Sequence, residues 1–239
     1  MSTPEHVNGW NAVPRDPSKL LPPNATKVHE AKHVPVAEIP IPDSPVAQAA
    51  LAYVQQELNP QTLSHSMRAY MFGMAIAKTQ YPEWRFSPEC YYLTCLFHDL
   101  ATTHKNLRAT RLSFEFYGGM LAHHFIVDHA GSVDLAESVA EAVMRHQDFI
   151  PYGEITTIGQ LIQLATTFDN MGANADLVHS QTIEEVVKQF PRNGWTGCFA
   201  NVVKDEIKLK PWSHTTSMGP THQTIIDGVE ANPIMKKYD

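Results

Sequence analysis

The chain has 239 residues, of which 43% are hydrophobic and 18% are charged, and its formal net charge is −7. This composition excludes wholesale disorder, which requires low hydrophobicity together with high charge. The acidic excess argues against nucleic acid as a partner, because no broad cationic surface is available for phosphates. No apolar stretch approaches the roughly 18 residues of a membrane span, and no secretory signal pattern precedes the fold. We therefore expect a cytoplasmic protein, with the nucleus not excluded.

Proline dominates the beginning of the chain, since nine of the 17 prolines lie in the first 45 residues. Proline fixes φ and removes a backbone donor, so this stretch can hold neither a long helix nor a central strand. We predict that residues 1–43 form an extended proline-rich arm and that residues 44–239 form the domain. Two alternatives stay open for the arm: it packs through the apolar residues between 34 and 41, or it is a disordered leader.

From Ser44 onward, apolar residues recur with helical spacing. Ser87-Pro88-Glu89 is typical of a helix start, with an N-cap residue before a proline. The pattern predicts helices over residues 46–58, 62–79, 88–100, 112–129, 134–147, 158–171, 182–190 and 197–207, and an irregular chain after Pro211. No alternating run is long enough to predict a strand. The predicted fold class is therefore all-α, a helical bundle carrying the proline-rich arm.

Histidine or aspartate interrupts the apolar face of four predicted helices, where packing favours Leu or Val. The inward residues include His65, His98, Asp99 and Asp169. A buried aspartate is costly unless it is paired or binds a cation. Imidazole and carboxylate together suit zinc, iron or manganese. A metal held by these four residues would join three helices, whereas the alternative for any one of them is a hydrogen-bonded core side chain.

The arrangement of these residues, as His, then His-Asp, then Asp on separate helices, resembles the signature of the HD-domain metalloproteins. Longer stretches of sequence narrow the resemblance to one group within these proteins. This closer resemblance extends from about residue 44 to the end of the chain. The stretches SHSMR (64–68), LTCLFHDLATT (93–103), SFEFYGG (113–119), AVMRHQD (142–148), GQLIQLATTFDNMG (159–172), FPRNGW (190–195) and KPWSHTT (210–216) are similar to fungal cyanamide hydratases.

This resemblance implies an HD-type bundle that converts cyanamide, a small neutral nitrile, to urea. It implies one Zn²⁺ per chain, with His65, His98, Asp99 and Asp169 as the ligands. Zinc lowers the pKa of a bound water towards about 7, so that its oxygen can attack the nitrile carbon.

Three further residues are candidates for roles beside the metal. Glu115 is a candidate base or ligand-orienting group, and His146 is a candidate proton shuttle near neutral pH. The hydroxyl of Thr167, two residues before Asp169, is a candidate for binding substrate. Each has a structural alternative: a solvated helix residue for Glu115, a core histidine for His146, and a hydroxyl bonded to a helix carbonyl for Thr167.

Other functions stay open at this point. A nucleotide phosphohydrolase would use cationic donors around phosphate, and a two-metal oxygenase or phosphodiesterase would use additional histidines beside His146. The residues that raise these alternatives are Lys105, Arg108 and Arg111 for the first, and His123, His124 and His146 for the second. A non-enzymatic alternative is a scaffold that binds a partner through its arm. The arm, Trp195 and Trp212 also suggest surface for self-association, so we expect a homo-oligomer.

Overall fold

The structure, a computed structural model, describes residues 7–21, 25, 27–221 and 223–239. This part of the chain contains ten α-helices and one pair of short strands. The helices are α1 (Pro45–Glu57), α2 (Pro60–Gln80), α3 (Pro88–Phe97), α4 (His104–Ala109), α5 (Phe114–Asp128), α6 (Val133–Arg145), α7 (Thr157–Met171), α8 (Ser180–Gln189), α9 (Trp195–Leu209) and α10 (Gln223–Glu230). The strands are β1 (Ala12–Pro14) and β2 (Glu154–Thr156). The predicted all-α fold class is confirmed.

The first three helices begin with the same local signal. The side chains of Ser44, Asn59 and Ser87 each accept a hydrogen bond from a backbone N–H in the first turn, and a proline follows each of them. Proline suits this position because its missing N–H would have no partner inside the helix. These signals are local in sequence, and the eight predicted helices agree with the observed bounds to within three residues.

The core lies between α2, α3, α6 and α7, which pack side by side, and α5 covers α6. The close approach of α5 and α6 depends on Gly119, where a Cβ atom would lie 2.5 Å from Cγ of Met144 and 2.9 Å from the carbonyl oxygen of Ala140. The Gly118-Gly119 pair lies inside α5, and the helix continues through both residues. None of the helices in the described part is long and apolar enough to cross a membrane.

Four elements differ from the sequence predictions. The strands β1 and β2 pair antiparallel, with Ala12 opposite Thr156, and their short length leaves no detectable alternation. The short helix α4 was not predicted. The prediction of an irregular chain after Pro211 is wrong, because α10 packs its apolar residues Ile225, Ile226 and Val229 against α9.

The described part of the arm packs against the domain. Val34, Val36 and Ile39 are buried, and Val34 exchanges hydrogen bonds with the hydroxyl of Thr182 at the start of α8. Farther towards the N-terminus, β1 joins the arm to β2. Of the two alternatives for the arm, packing therefore holds for these residues.

The two tryptophans that suggested self-association have different environments. Trp195 is 1% exposed and belongs to the interior, so the interpretation of it as a surface residue is wrong. Trp212 is 62% exposed. Self-association of the chain stays a prediction.

Candidate metal centre and its cavity

Side chains from three separate parts of the bundle converge at one buried point. His65 lies in α2, His98 caps the C-terminus of α3, and Asp99 follows it. Donor atoms of these three residues lie within 4.8 Å of one another. His146, which caps the C-terminus of α6, joins them with its ring centroid 5.2 Å from that of His98. All four side chains are buried.

Helix ends orient two of the histidines. Nδ1–H of His98 donates to the carbonyl oxygen of Cys95 at 2.8 Å, and Nδ1–H of His146 donates to that of Val143 at 2.6 Å. Each ring thereby satisfies a carbonyl in the last turn of its helix, where intrahelical donors run out. Because Nδ1 carries the proton in each neutral ring, Nε2 keeps a free lone pair.

His65 is oriented by a carboxylate instead, since its Nδ1 lies 2.6 Å from Oδ2 of Asp169. Its Nε2, those of His98 and His146, and both carboxylate oxygens of Asp99 are buried and have no hydrogen-bond partner among the described residues. Leaving this many polar atoms unpaired would be costly. A single cation bound between them would interact with the lone pairs of all these atoms at once. This set of ligand atoms therefore fits a metal ion.

The protonation states also suit a metal. Burial lowers the pKa of His65 to about 4 in spite of the Asp169 carboxylate, and burial lowers that of His146 to about 3. Burial raises the pKa of Asp99, but the neighbouring His98 outweighs it and brings the value to about 2. Burial lowers the pKa of His98 too, and the Asp99 carboxylate reverses this to a net increase. At neutral pH, Asp99 is therefore ionised while His65 and His146 are neutral, as metal ligation requires, whereas a bound cation would displace the proton that Asp99 favours on His98.

Asp169, the fourth ligand that the resemblance implies, has its carboxylate engaged by three other side chains. Its carboxylate accepts hydrogen bonds from Arg68 at 2.9 and 3.0 Å and from Arg192 at 2.9 Å, in addition to the contact with His65. Burial raises the pKa of Asp169, but the two guanidinium groups hold it far below its usual range. Asp169 thus lies on the Nδ1 side of His65, where a carboxylate orients a ligating histidine.

Sequence reasoning missed three residues that support this centre. Arg68 and Arg192 are fully buried around Asp169, and the ring of Trp195 stacks on His65 with centroids 4.3 Å apart. Arg68 lies three residues after His65 in the same helix, a spacing that places both on one face. Arg192 and Trp195 both lie in the stretch FPRNGW, but no local pattern connects that stretch with α2.

A small cavity of about 10 Å³ adjoins the centre. This is about the space that one water molecule needs. Its lining residues include His98, Asp99, His146, Phe149, Thr167 and Asn170. Thr167 donates its hydroxyl hydrogen to the carbonyl of Gln163 at 2.7 Å, as its structural alternative proposed. Its oxygen still lines the cavity and keeps lone pairs that can accept a hydrogen bond.

Glu115 is fully buried, so its interpretation as a solvated helix residue is wrong. Its Oε1 accepts a hydrogen bond from Nδ1–H of His214 at 2.7 Å. Glu115 does not belong to the cavity lining. Its role as a base or orienting group stays a prediction.

All but one of the residues that raised the other enzyme classes are outside the cavity lining. Lys105 pairs with Glu57 at 3.2 Å and is largely exposed. His123 is half-buried and His124 is exposed. Of the six residues that raised those classes, His146 lines the cavity, whereas the lining does not include Lys105, Arg108, Arg111, His123 or His124.

Comparison with known proteins places this centre in a family. The HD domain family matches residues 62–171. The cyanamide hydratases DDI2 and DDI3 of Saccharomyces cerevisiae are each 44% identical to the chain over 213 residues, which cover 88% of this chain and 92% of each relative. The chain belongs to the cyanamide hydratase family of HD-domain proteins. The HD region of this family member contains all four converging residues as well as Asp169. HD domains bind metals, and the HD region of this chain contains the His65, His98 and Asp99 cluster, whose donor atoms lie close enough together to hold an ion.

Proposed function

We propose that the protein hydrates cyanamide to urea at a single bound Zn²⁺. The observation that carries the proposal is the 44% identity to two cyanamide hydratases over nearly the whole chain. The site agrees with it, because a cavity of about 10 Å³ beside the donor atoms is far too small for a nucleotide.

The donor set suggests how each residue serves the metal. His65, His98 and Asp99 would hold the ion, and Nε2 of His146 is the next unpaired donor at the cavity. Asp169, which the family signature assigns as a ligand, would hold His65 in its ligating orientation through Nδ1. Nitrogen and carboxylate oxygen are both ordinary zinc ligands. When bound, zinc would lower the pKa of a water in the cavity and polarise the nitrile.

Hydration adds an oxygen to the nitrile carbon, while both hydrogens of the water end on nitrogen. The ionised Asp99 carboxylate, with both oxygens otherwise unpaired by the described residues, would accept the proton from the attacking water. It would return that proton to the nitrile nitrogen. The resulting isourea becomes urea by moving the remaining O–H proton to nitrogen.

Two polar side chains would orient the substrate. The oxygen of Thr167 can accept an N–H of the cyanamide amino group, because its own hydrogen is directed to Gln163. Asn170 has its Oδ1 held by Nε1–H of Trp195 at 2.7 Å, which leaves its amide hydrogens free to donate to the nitrile nitrogen as negative charge develops there. The rest of the lining contains apolar side chains such as Phe149 and Phe199, which exclude bulk water.

The proposal is tested by incubating zinc-loaded protein with cyanamide, measuring urea, and measuring metal content on the same sample. We expect about one equivalent of zinc and steady urea formation, both lost in Asp99→Asn. The matched control is Asp128→Asn, at an exposed aspartate of α5, which should keep both. Absence of urea above a metal-free sample would reject the proposal.

The phosphohydrolase alternative is tested with the same preparation. Phosphate release from a panel of nucleotides should stay at background, and Lys105→Ala should leave cyanamide turnover unchanged. Phosphate release that depends on Lys105 would instead favour the alternative.

A further inference from the structure

Helix α5 is apolar on two opposite sides. Its inward side packs on α6 and carries the buried residues Phe114, Ala122 and Ile126. The 15 residues of this helix include no Lys or Arg and only two acidic residues, the buried Glu115 and the terminal Asp128. A helix of such composition is normally covered on all sides. The outward side of α5, which faces solvent, is therefore a candidate contact surface.

The outward side of α5 presents one row of side chains. Residues three or four positions apart are neighbours on a helix surface, and this spacing connects Phe116 with Met120, His123 and Val127. Leu112 precedes the helix at the same end as Phe116. The four apolar side chains of this row are each between 38% and 42% exposed. We name these five residues the α5 stripe.

Two exposed aromatic rings at the N-terminal end of the stripe are held in place. Nε1–H of Trp212 donates to the carbonyl oxygen of Arg111 at 2.9 Å, which fixes this exposed ring beside the start of the stripe. The ring of Phe116 stacks on that of His214, with centroids 5.7 Å apart. Side chains that are already fixed lose little entropy when a partner binds. Tryptophan and arginine are also enriched among the residues that contribute most to interfaces.

The α5 stripe is self-complementary when two copies run antiparallel. Consider a two-fold axis that passes between residues 119 and 120 of each copy. Leu112 of one copy then lies opposite Val127 of the other, and Phe116 lies opposite His123. Met120 lies at the axis, next to its own counterpart. Each member of the stripe therefore meets another member across the axis.

The charges beside the stripe fit the same register. Arg111 and Asp128 are both exposed and lie at opposite ends of α5, so the two-fold axis brings Arg111 of each copy towards Asp128 of the other. The pairing also sets the positive end of each helix dipole beside the negative end of its partner. An anionic lipid surface would instead attract clustered cationic residues, whereas this chain has a net charge of −7 and ends α5 with an aspartate. The charges therefore favour a second copy of the chain as the occupant.

We propose that the α5 stripe is the contact surface of a two-fold symmetric dimer in which two α5 helices pair antiparallel. With 15 residues, α5 is about 22 Å long. A contact built on one helix pair lies at the lower end of interface sizes, so the dimer should dissociate on dilution. The proposal is independent of the proposed function, because the lining of the cavity beside the metal centre includes no residue of the stripe.

Sedimentation velocity of the full chain, over a hundredfold range of protein concentration, measures the association. The wild type should change from monomer to dimer. Met120→Glu sets two like charges beside the axis and should weaken the dimer at least tenfold. The matched control is Ile41→Glu, at an apolar residue of the arm that is 43% exposed, and it should dimerise as the wild type does. A wild type that is monomeric throughout, or association that is equal in all three proteins, would overturn the proposal.

Reversal of charges tests the register. Arg111→Glu and Asp128→Arg each set like charges opposite one another and should weaken the dimer at least fivefold, whereas the double variant should restore wild-type association. A double variant that dissociates as readily as the single variants would overturn the antiparallel pairing.

Vesicles that contain anionic lipid test the other occupant. The protein should not bind them, and binding of a monomer that Met120→Glu abolishes would overturn the proposal in favour of a membrane contact. Failure of the proposed function appears separately, as absence of urea formation from cyanamide, and does not affect these measurements.

Discussion

Asp169→Asn separates the two roles that a buried aspartate can have at this centre. The carboxylate faces two buried guanidinium groups, those of Arg68 and Arg192, as well as Nδ1 of His65. Asparagine keeps the size of the side chain but removes its charge and places an NH₂ group where one oxygen accepts hydrogen bonds. We therefore expect a large loss of stability together with a partial loss of metal affinity.

The magnitude follows from the burial of the three charged groups. Arg68, Arg192 and Asp169 are each 0% exposed, so solvent cannot replace the lost charge. Removing one partner of a buried ion pair costs about 3–5 kcal/mol. For a chain of this size this corresponds to a decrease in Tm of roughly 6–20 °C. Loss of a carboxylate that only orients a ligating histidine weakens metal binding by about 10- to 100-fold.

The assay is thermal unfolding of the metal-free protein, followed by zinc titration of the same samples. The matched control is Asp239→Asn. Asp239 contacts the same Arg192, at 2.7 Å, but its side chain is 20% exposed. Water can reach the Asp239 side chain and replace part of the lost hydrogen bond, so the control should lose less stability than Asp169→Asn and no zinc affinity.

One result would refute this reasoning. If Asp169→Asn unfolds within about 1 kcal/mol of the wild type but binds no zinc, Asp169 is a metal ligand and its arginine contacts are not important for stability. The expected combination is the opposite: a strongly destabilised protein that still binds zinc at raised concentration.

Three other contacts give measurable outcomes. Arg15→Met removes the contacts of the guanidinium group with the backbone and the carboxylate of Asp148. Hydrogen exchange over the residues that follow Asp148 should therefore quicken, and kcat should fall several-fold. Unchanged exchange would contradict this prediction. His146→Leu should reduce bound zinc below one equivalent while the metal-free Tm is unchanged or higher, because a buried unpaired nitrogen is removed; full zinc content would show that this ring does not bind the metal. The hydrogen bond that Nδ1–H of His214 donates to Glu115 raises the pKa of His214 above 6.5. This pair therefore stabilises the fold fully below pH 6.5, and the stabilisation is lost as the pH rises through the increased value; Glu115→Gln should flatten the Tm profile above pH 6.5, and an unaltered profile would contradict the pairing.

The helices and the inward histidines and aspartates could be predicted because their signals are local. Apolar spacing and proline-preceded caps depend on residues within one or two turns, and His65, His98 and Asp99 interrupt apolar faces that the sequence alone displays. The strand pair could not be predicted in the same way, because three residues of β1 meet β2 across about 140 residues of chain.

Tertiary structure alone decided how the site is organised. Asp169 lies on the same helical face whether it binds a metal or His65, and only the packing of α2 against α7 with Arg68 and Arg192 directs its carboxylate to Nδ1. The arm also packs through Arg15, whose side chain pairs with Asp148, a contact between segments that local sequence cannot connect. By itself, the sequence determined the all-α fold class and the residue types available for a metal. Which atoms face one another depends on contacts between distant segments, since helical periodicity specifies a face but not the neighbour packed against it.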